Sequence, residues 1–394
     1  MRIAYICQSY PPMISGASIV AQRLAEGICK RGHEVLVISA SDRGSHYMSS
    51  HVGICVIRLR SFPNPIRVNQ RFVLWSRREV SKELKDFRPD ILHLHEPFSL
   101  GLGAALASRL MNKRPAVVLT IHQLPWIITS YLPALLDLHQ LVESLIWTYS
   151  RWFCQFLDAT ITSSDTIADI TCEQLRHRSI VITNGVDLTT FSNKLQSLDE
   201  AQALCAKYRL DPGLPIILYV GRIDTDKRVD LVVRAAAKTI CSVEAQLLIV
   251  GDGRQLPEVI RLSELLGIRQ FCRFPGYVTA TGDLPGLYRL SRVFVTASEI
   301  EIQSSVVLEA AATGLPIVVV ESSSMPEFIA NGVNGFLVRP RDTDAMAECI
   351  TLLLKNGDLS RRMGQANLEL ARRHSSDHSL NMHEQFYQSL IRNS

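Results

Sequence analysis

Short apolar runs, each closed by a turn signal, alternate along this chain with segments whose apolar residues return every three or four positions. IAYIC is such a run and leads into the Pro/Gly loop YPPMISG. SIVAQRLAEGICKRG then sets Val20, Leu24 and Ile28 on one helical face, with Gly32 as its stop. HEVLVISA, CVIRLRS, DILHLHE, AVVLTIH and ATITSS read as further strands, several with helical stretches between them. This is the strand–helix–strand rhythm of an open parallel sheet. The rhythm restarts after about residue 200: PIILYVGR, AQLLIVGDG, QFCRFPGYV, VFVTAS and PIVVVE as strands, DLVVRAAAKTI, QLPEVIRLSELLG and VVLEAAATG as helices. The pattern predicts an α/β chain of two doubly wound halves without obvious sequence repeats. Val186 to Leu214, polar and ending in DPGLP, reads as the linker, and SLNMHEQFYQSLIRN as a last helix without an identified partner. Open sheets of this kind bind ligands beyond the C-terminal ends of their strands. Two facing halves predict a deep cleft and a ligand that spans both.

Size and composition narrow this picture. The 394 residues suit two domains, and 47% hydrophobic with 20% charged residues describes a folded chain with sizeable cores. The nine cysteines are scattered, with no CxxC and no Cys/His cluster, which argues against zinc and a disulfide framework and suits a reducing, cytoplasmic setting. The start lacks a secretory pattern, and no apolar run is long enough for a transmembrane helix. Net charge is +4, divided as +5 over residues 1–190 and −1 over the rest. That excess is too weak to indicate a nucleic-acid partner.

Candidate chemistry concentrates in SEIEIQSSVVLEAAATGLP, residues 298–316, which sets Glu299, Glu301 and Glu309 among apolar and small residues. An unpaired buried carboxylate costs several kcal/mol, on the order of a domain's whole margin. Each therefore needs a partner, from the protein or from a ligand. A short helix ended by Gly314 puts residues 303–306 at its N-terminus, where unpaired backbone N–H groups suit phosphate oxygens. Glu301 precedes that turn and Glu309 lies about one helical turn further on. Ionised carboxylates accept strongly from sugar hydroxyls, so the two are placed to bracket a nucleotide sugar; the plainer reading is glutamates that cap neighbouring loops. Other strand ends carry related signals, each with an ordinary alternative as turn, solvated loop or core strand: Gly16 in YPPMISGAS, Arg222 and Lys227 in VGRIDTDKRVD as paired cations for a diphosphate, Gly251 and Asp252 in VGDGR, and the FPGYV strand end.

Taken together and in order, YPPMISGAS, LTIH with His122, TNGVD at 183–187, GRIDTDKR at 221–228, GDG at 251–253 and LEAAATGLPIV resemble the retaining GT-B glycosyltransferases, in particular glycosyltransferase family 4. Glu301 and Glu309 match its E-x7-E signature. The resemblance covers nearly the whole chain. It implies a GT-B fold of two Rossmann-like domains: residues 1–190, with a crossover helix from about 374 to 394, binding the acceptor, and 191–373 binding a nucleotide-sugar donor. It implies that Arg222 and Lys227 hold the donor diphosphate, with Gly16, Gly221, Gly251 and Asp252 on donor-facing loops. Glu301 would bind the donor sugar and Glu309 the ribose. Gly276, Tyr277 and Val278 would meet the base, and His122 the reacting sugar. No bound metal or other cofactor is implied. Where relatives carry a glycine after the first glutamate, this chain has Gln303, Ser304 and Ser305, and Ser15-Gly16 replaces a frequent Gly-Gly.

The acceptor is less defined. Leu135, Leu138, Val142, Leu145, Tyr149, Trp152 and Phe156 recur at helical spacing, and most of this stripe reads as core. HEPFSLGLGAALA and TIHQLPW resemble relatives that glycosylate diacylglycerol and other membrane lipids. The basic residues Arg67, Arg71, Arg77, Arg78, Lys82 and Lys85 suit anionic headgroups at the inner face of a cytoplasmic membrane, or a solvated helix face, since Glu79, Glu83 and Asp86 interleave. A transferase for soluble acceptors, a nucleotide-sugar-binding protein without catalysis and an epimerase are the rival readings.

Overall fold

The computed structural model describes residues 1–392 apart from 14, 65–69, 75, 127–138, 178, 192–196, 300 and 303. The chain divides into two compact units, Met1–Thr183 with Ser379–Ser394, and Asn184–His378.

The first unit carries strands β1 (Arg2–Cys7), β2 (Glu34–Ala40), β3 (Tyr47–His51), β4 (Ile54–Leu59), β5 (Phe62–Pro63), β6 (Arg71–Phe72), β7 (Ile91–Leu94), β8 (Ala116–Thr120), β9 (Ala159–Thr162) and β10 (Ser179–Val181). Eight of them form one sheet in the order β10-β9-β8-β7-β1-β2-β4-β3, and β5 pairs with β6 apart from it. The sheet is parallel except at its edge, where β3 runs antiparallel to β4. The expected purely parallel sheet is corrected there. YMSSH is almost wholly exposed and joins through its backbone, so no apolar pattern announces it. Central strands such as β1 are buried on both faces, which is why they read as unbroken apolar runs. The helix Gly16–Lys30 starts at a capping box of Ser15 and Ser18 and buries Ala21, Leu24, Ala25 and Ile28.

The last helix, Ser376–Arg392, finds its partner in this first core. Leu380, Met382, Phe386 and Leu390 pack on it, and Tyr387 is fully buried. Glu384 fastens the helix to Arg31 at 3.0 Å and to His33 at 2.9 Å. Its first residues belong to the second unit, where Val186 N–H donates to His374 O and Ser376 N–H donates to Val186 O, both at 2.9 Å.

The second unit carries β11 (Ile216–Val220), β12 (Gln246–Val250), β13 (Cys272–Gly276), β14 (Val293–Thr296), β15 (Ile317–Val320) and β16 (Gly335–Val338) in one parallel sheet, ordered β13-β12-β11-β14-β15-β16. The strand order reverses direction between β11 and β14. The loops after these two neighbouring strands therefore diverge to opposite sides and leave a crevice at their C-terminal ends. Apolar clusters cover both faces, one around Val229, Val232 and Ile249, the other around Tyr288, Phe294 and Leu308.

Two expectations need correction here. Val186 to Leu214 is not a linker among the described residues. Phe191 is fully buried, and the helix Leu198–Tyr208, capped by Ser197, sends Cys205 into the core of the second unit. The polar content of this stretch hid a helix with a narrow apolar face. The aromatic stripe is not mostly core either. The helix His139–Phe153 buries Phe153, whereas Leu145 is 60% exposed and Trp152 43% exposed; Val142 and Tyr149 are half-buried and Phe156 is buried. Helical periodicity identifies an apolar face but not what covers it. Leu135 and Leu138 lie outside the described residues.

Candidate active site

In the second unit, the loop after β11 and the loop after β14 bring the predicted residues together. Tyr219, buried in β11, donates its hydroxyl to the carbonyl of Arg222 at 2.6 Å and shapes the turn. Burial, with the nearby Glu301 and Asp226 charges, raises its phenol well above the ordinary range. The loop then forms a short turn, Thr225–Lys227. From the other strand end Glu301 meets it: Lys227 Nζ lies 2.6 Å from Glu301 Oε1 and 3.5 Å from Ser298 Oγ. Asp226 is 3.9 Å from the same ammonium and also accepts from Arg222 at 2.8 Å; Arg222 bonds Asp224 as well. Ser324 Oγ donates to the carbonyl of Glu301 at 3.2 Å and steadies the loop. Two cations and three carboxylates thus share one crevice edge.

The helix Ser305–Ala312 opens just beyond. Ser304 is its N-cap residue, yet its side chain makes no capping bond, so the first N–H groups are not closed off by it. Glu309, 6% exposed, accepts from the Tyr288 hydroxyl at 3.2 Å. Glu299 has a different setting: Arg228 holds it at 3.3 Å and Arg341 at 3.4 Å, an ion-pair cluster at the loop's outer side. Gln303 lies outside the described residues, and Ser305 is the first helical residue.

Gly221 and Gly251 are packing requirements of this unit. A Cβ on Gly251, where φ is +141°, would sit 1.8 Å from the carbonyl oxygen of Gly221. Asp252 closes the same turn, accepting from the Ile223 N–H at 2.9 Å through its carbonyl and from the Gly253 N–H at 2.8 Å through its carboxylate. Gly276 ends β13, Tyr277 beyond it is 53% exposed, and Val278 packs on the second apolar cluster.

Gly16 and His122 lie in the first unit. Gly16 is the first residue of its helix, and a Cβ there would meet nothing within 4 Å. His122 follows β8, and its Nε2 lies 2.8 Å from Nδ1 of His95, which follows the neighbouring β7. Burial draws the His122 imidazole down to about 4. His93 is drawn well below the ordinary value by burial and then by His383 and His122, and His95 by burial and then by His93, His122 and His383.

Several residues that shape these sites were not singled out from sequence. Arg58 is buried and donates to the carbonyls of Tyr10 (3.1 Å) and Pro11, anchoring the loop before Gly16. Glu96 accepts from the N–H groups of Gly101 (2.7 Å) and Phe98 (2.8 Å) at the start of the helix Ser99–Ser108. Partial burial pushes its carboxyl up to about 7 against the pull of those N–H groups. Tyr288 carries no local motif, and Asp226 lies within GRIDTDKR but was passed over beside its two cations. Only the alternation HLHE, polar residues inside an apolar strand, signalled His93 and His95.

Residues 201–369 match the family described as Glycosyl transferases group 1, and residues 14–190 match Glycosyltransferase Family 4. Among curated relatives, N-acetyl-alpha-D-glucosaminyl L-malate synthase of Bacillus anthracis is 25% identical across all of this chain and 98% of its own. Alpha-monoglucosyldiacylglycerol synthase of Acholeplasma laidlawii is 27% identical over 85% of this chain and 84% of its own. HepE of Anabaena, solved with UDP-glucose, superposes with a TM-score of 0.76 at 17% identity, over 99% of this chain and all of its own. The fold is GT-B, with two Rossmann-like sheets. The chain belongs to the group 1 glycosyltransferases of family 4.

Proposed function

We propose that this chain is a retaining, metal-independent hexosyltransferase that moves a hexose from a nucleotide sugar, a UDP-sugar first among the candidates, to a hydroxyl of a membrane lipid such as diacylglycerol. The observation that carries the donor part is the 2.6 Å contact of Lys227 with Glu301 at the switch point of the second sheet, beside the helix that bears Glu309.

In this reading Arg222, Lys227 and the N–H groups that open the helix at Ser305 face the diphosphate. Breaking the bond between the anomeric carbon and the β-phosphate oxygen leaves negative charge on that phosphate. Donors already fixed there stabilise it, each worth roughly 3 kcal/mol. The carboxylates of Asp224 and Asp226 hold the Arg222 guanidinium in place, and an incoming phosphate competes with them. The acceptor hydroxyl attacks the same face and passes its proton to the departing phosphate oxygen. Glu301 is then a hydroxyl acceptor held by Lys227 and not a nucleophile. Glu309 takes the ribose hydroxyls, Gly276, Tyr277 and Val278 the base, and His122 the transferred sugar.

The lipid part rests on surface features of the first unit and on the Acholeplasma relative. Leu141, Leu145 and Trp152 are exposed on the helix His139–Phe153. Arg77, Arg78, Lys82 and Lys85 are exposed on the helix Arg77–Phe87; Arg71 is tied to Ser61 at 2.9 Å and leaves this set, and Arg67 lies outside the described residues. Among the described residues no helix is long and apolar enough to cross a membrane. A peripheral enzyme on an anionic surface would use such a pairing of apolar and basic faces. The second reading is a soluble acceptor. Exposed Glu79 and Asp86 among those lysines and arginines, and the malate named in the Bacillus relative, favour it.

The test is nucleoside diphosphate release from a panel of UDP- and GDP-sugars, with chelator present, with and without a membrane lipid extract. Release that needs one donor and the lipid, with an anomeric configuration matching the donor's, is expected. Release without lipid moves the acceptor into solution, and loss of activity in chelator removes metal independence. Absence of both release and donor binding overturns the donor assignment.

A further inference from the structure

The first unit holds a column of imidazoles that the scheme above uses only at its last member. His93 is pinned at both ring nitrogens, Nε2 2.7 Å from Thr120 Oγ1 and Nδ1 2.5 Å from the Tyr387 hydroxyl. His95 stacks on it, with centroids 4.6 Å apart and planes at 18°. The backbone N–H of His95 is tied to Ile6 O at 2.9 Å, so both ring and backbone are fixed. His122 meets His95 differently. Their planes lie within 12°, but the centroids are 5.1 Å apart, too far for face-to-face contact. With Nδ1 and Nε2 at 2.8 Å, the two rings are joined edge to edge by an N–H···N bond.

One of these two nitrogens must donate, and the far side of His95 decides which. His95 is 5% exposed, and among the described residues its Nε2 is buried without a hydrogen-bond partner. If His95 accepted from His122, its own proton would sit on Nε2 as a buried N–H with no acceptor. If His95 donates from Nδ1, Nε2 keeps only a lone pair. Buried orphan N–H groups are the rarer and costlier of the two.

We propose that His95 is a positioning residue that donates from Nδ1 to His122 Nε2, so that His122 turns its own Nδ1–H outward as a fixed hydrogen-bond donor for a hydroxyl or phosphate oxygen of the bound substrate. The role of His122 toward substrate rests on the function proposed above; its tautomer does not. Neutral rings are required for this arrangement, and burial keeps both neutral at ordinary pH. Among the described residues Nδ1 of His122 bonds no protein group, and the ring is only half-buried, so that edge is open to a ligand. Without His95 the imidazole would mix tautomers and swing, and a bare Nδ1 would repel a substrate oxygen.

The experiment is ring-nitrogen NMR on the full chain labelled with 15N-histidine, with His122→Ala to assign the His122 signals. The expected wild-type result is a neutral His122 protonated on Nδ1 and unprotonated on Nε2. His95→Phe keeps the stacked ring and removes the bond; it should mix the His122 tautomers and lower kcat/KM for sugar transfer about ten- to a hundredfold, the usual cost of losing a partner that orients a histidine. His95→Asn puts an amide N–H where Nδ1–H was, and should restore the tautomer and most of the rate. A wild-type His122 protonated on Nε2 overturns the proposal whatever the chain transfers, and so does an unmixed tautomer in His95→Phe. A confirmed tautomer in a chain that turns over no nucleotide sugar supports the His95 assignment and overturns the functional reading instead.

Discussion

Glu299 is held by Arg228 and Arg341, Glu301 by Lys227, and Glu309 takes a hydrogen bond from Tyr288. Three carboxylates on one short stretch thus separate by partner, Glu299 with two guanidinium groups, Glu301 with an ammonium and Glu309 with a phenol hydroxyl. Lys227→Ala should lower kcat at least about a hundredfold, the worth of one well-placed donor at a developing charge. The pair it breaks is part-exposed at both ends, so the melting temperature should fall by only a few degrees. Equal activity in steady-state assays would remove Lys227 from the mechanism. The glycines make a sharper contrast. Gly251→Ala meets the Gly221 carbonyl and should cost on the order of 3 kcal/mol in denaturant unfolding, so lost activity there says nothing about substrate. Gly16→Ala has open space; it should leave unfolding unchanged and raise the donor KM about tenfold, roughly 1.4 kcal/mol of binding. A donor KM equal to wild type would mean no ligand approaches Gly16. The buried histidines predict a pH effect. An unfolded histidine takes a proton near pH 6.5, while folded His122 and His383 resist until about 4, and burial holds His93 and His95 well below the ordinary value too. The unfolded state therefore binds more protons through that window, and stability must fall as pH drops from about 6.5 to 4. Glu96, raised to about 7, acts in the opposite sense but is one group against four. All four tryptophans, Trp75, Trp126, Trp147 and Trp152, belong to the first unit, so their fluorescence reports its melting directly. A midpoint that stays level on acidification would contradict the neutral column.

At the scale of elements, apolar periodicity was a reliable guide wherever a strand or helix is covered on the side the pattern marks. β11 and β15 are unbroken apolar runs and fully internal, as is β1 beyond Arg2. It failed where backbone pairing or an unseen cover decides. The edge strand β3 has no apolar alternation, and the helix Leu198–Tyr208 buries just Leu204 and Cys205. The helix His139–Phe153 is the inverse case, with an apolar stripe at the right spacing and Leu141, Leu145 and Trp152 in the open. Because these side chains are exposed, Leu145→Glu with Trp152→Glu should leave the melting temperature within about a degree or two, as surface changes usually do. The same pair should weaken co-sedimentation with anionic vesicles about tenfold or more if this face meets lipid. Unchanged sedimentation would favour the soluble acceptor. The candidate site was legible in part for a related reason. Arg222 and Lys227 follow a strand and its glycine, and Glu301 and Glu309 are carboxylates in a run of apolar and small residues, so these four stood out. Tyr288 and Arg58 act across chain separations that no local spacing encodes, whereas Asp226 sits in the same short loop as the cations it pairs with.

For the whole molecule, the two-unit α/β plan was written in the restarted rhythm, but the path of the chain between units was not. The second unit is an insertion. Residues 184–378 lie between the two segments that make up the first unit. The closing segment is integral to that unit, since Tyr387 is fully buried and its hydroxyl holds His93. Tyr387→Ala should cost about 3–5 kcal/mol. A chain ending at His378 should lose the cooperative tryptophan transition of the first unit and keep a folded second unit, read by hydrogen exchange. A preserved tryptophan transition would show that the closing helix is dispensable. The same topology bears on birth at the ribosome. The 183 residues that emerge first cannot close their core until residues 379–392 have followed, after 195 intervening residues have been made. At about 5–20 residues per second that wait is roughly ten to forty seconds, during which the later-made unit can finish first. The nascent chain must spend that interval with the seat of Tyr387 uncovered, so the amino-terminal half, although synthesised first, is the half that most needs chaperone shelter.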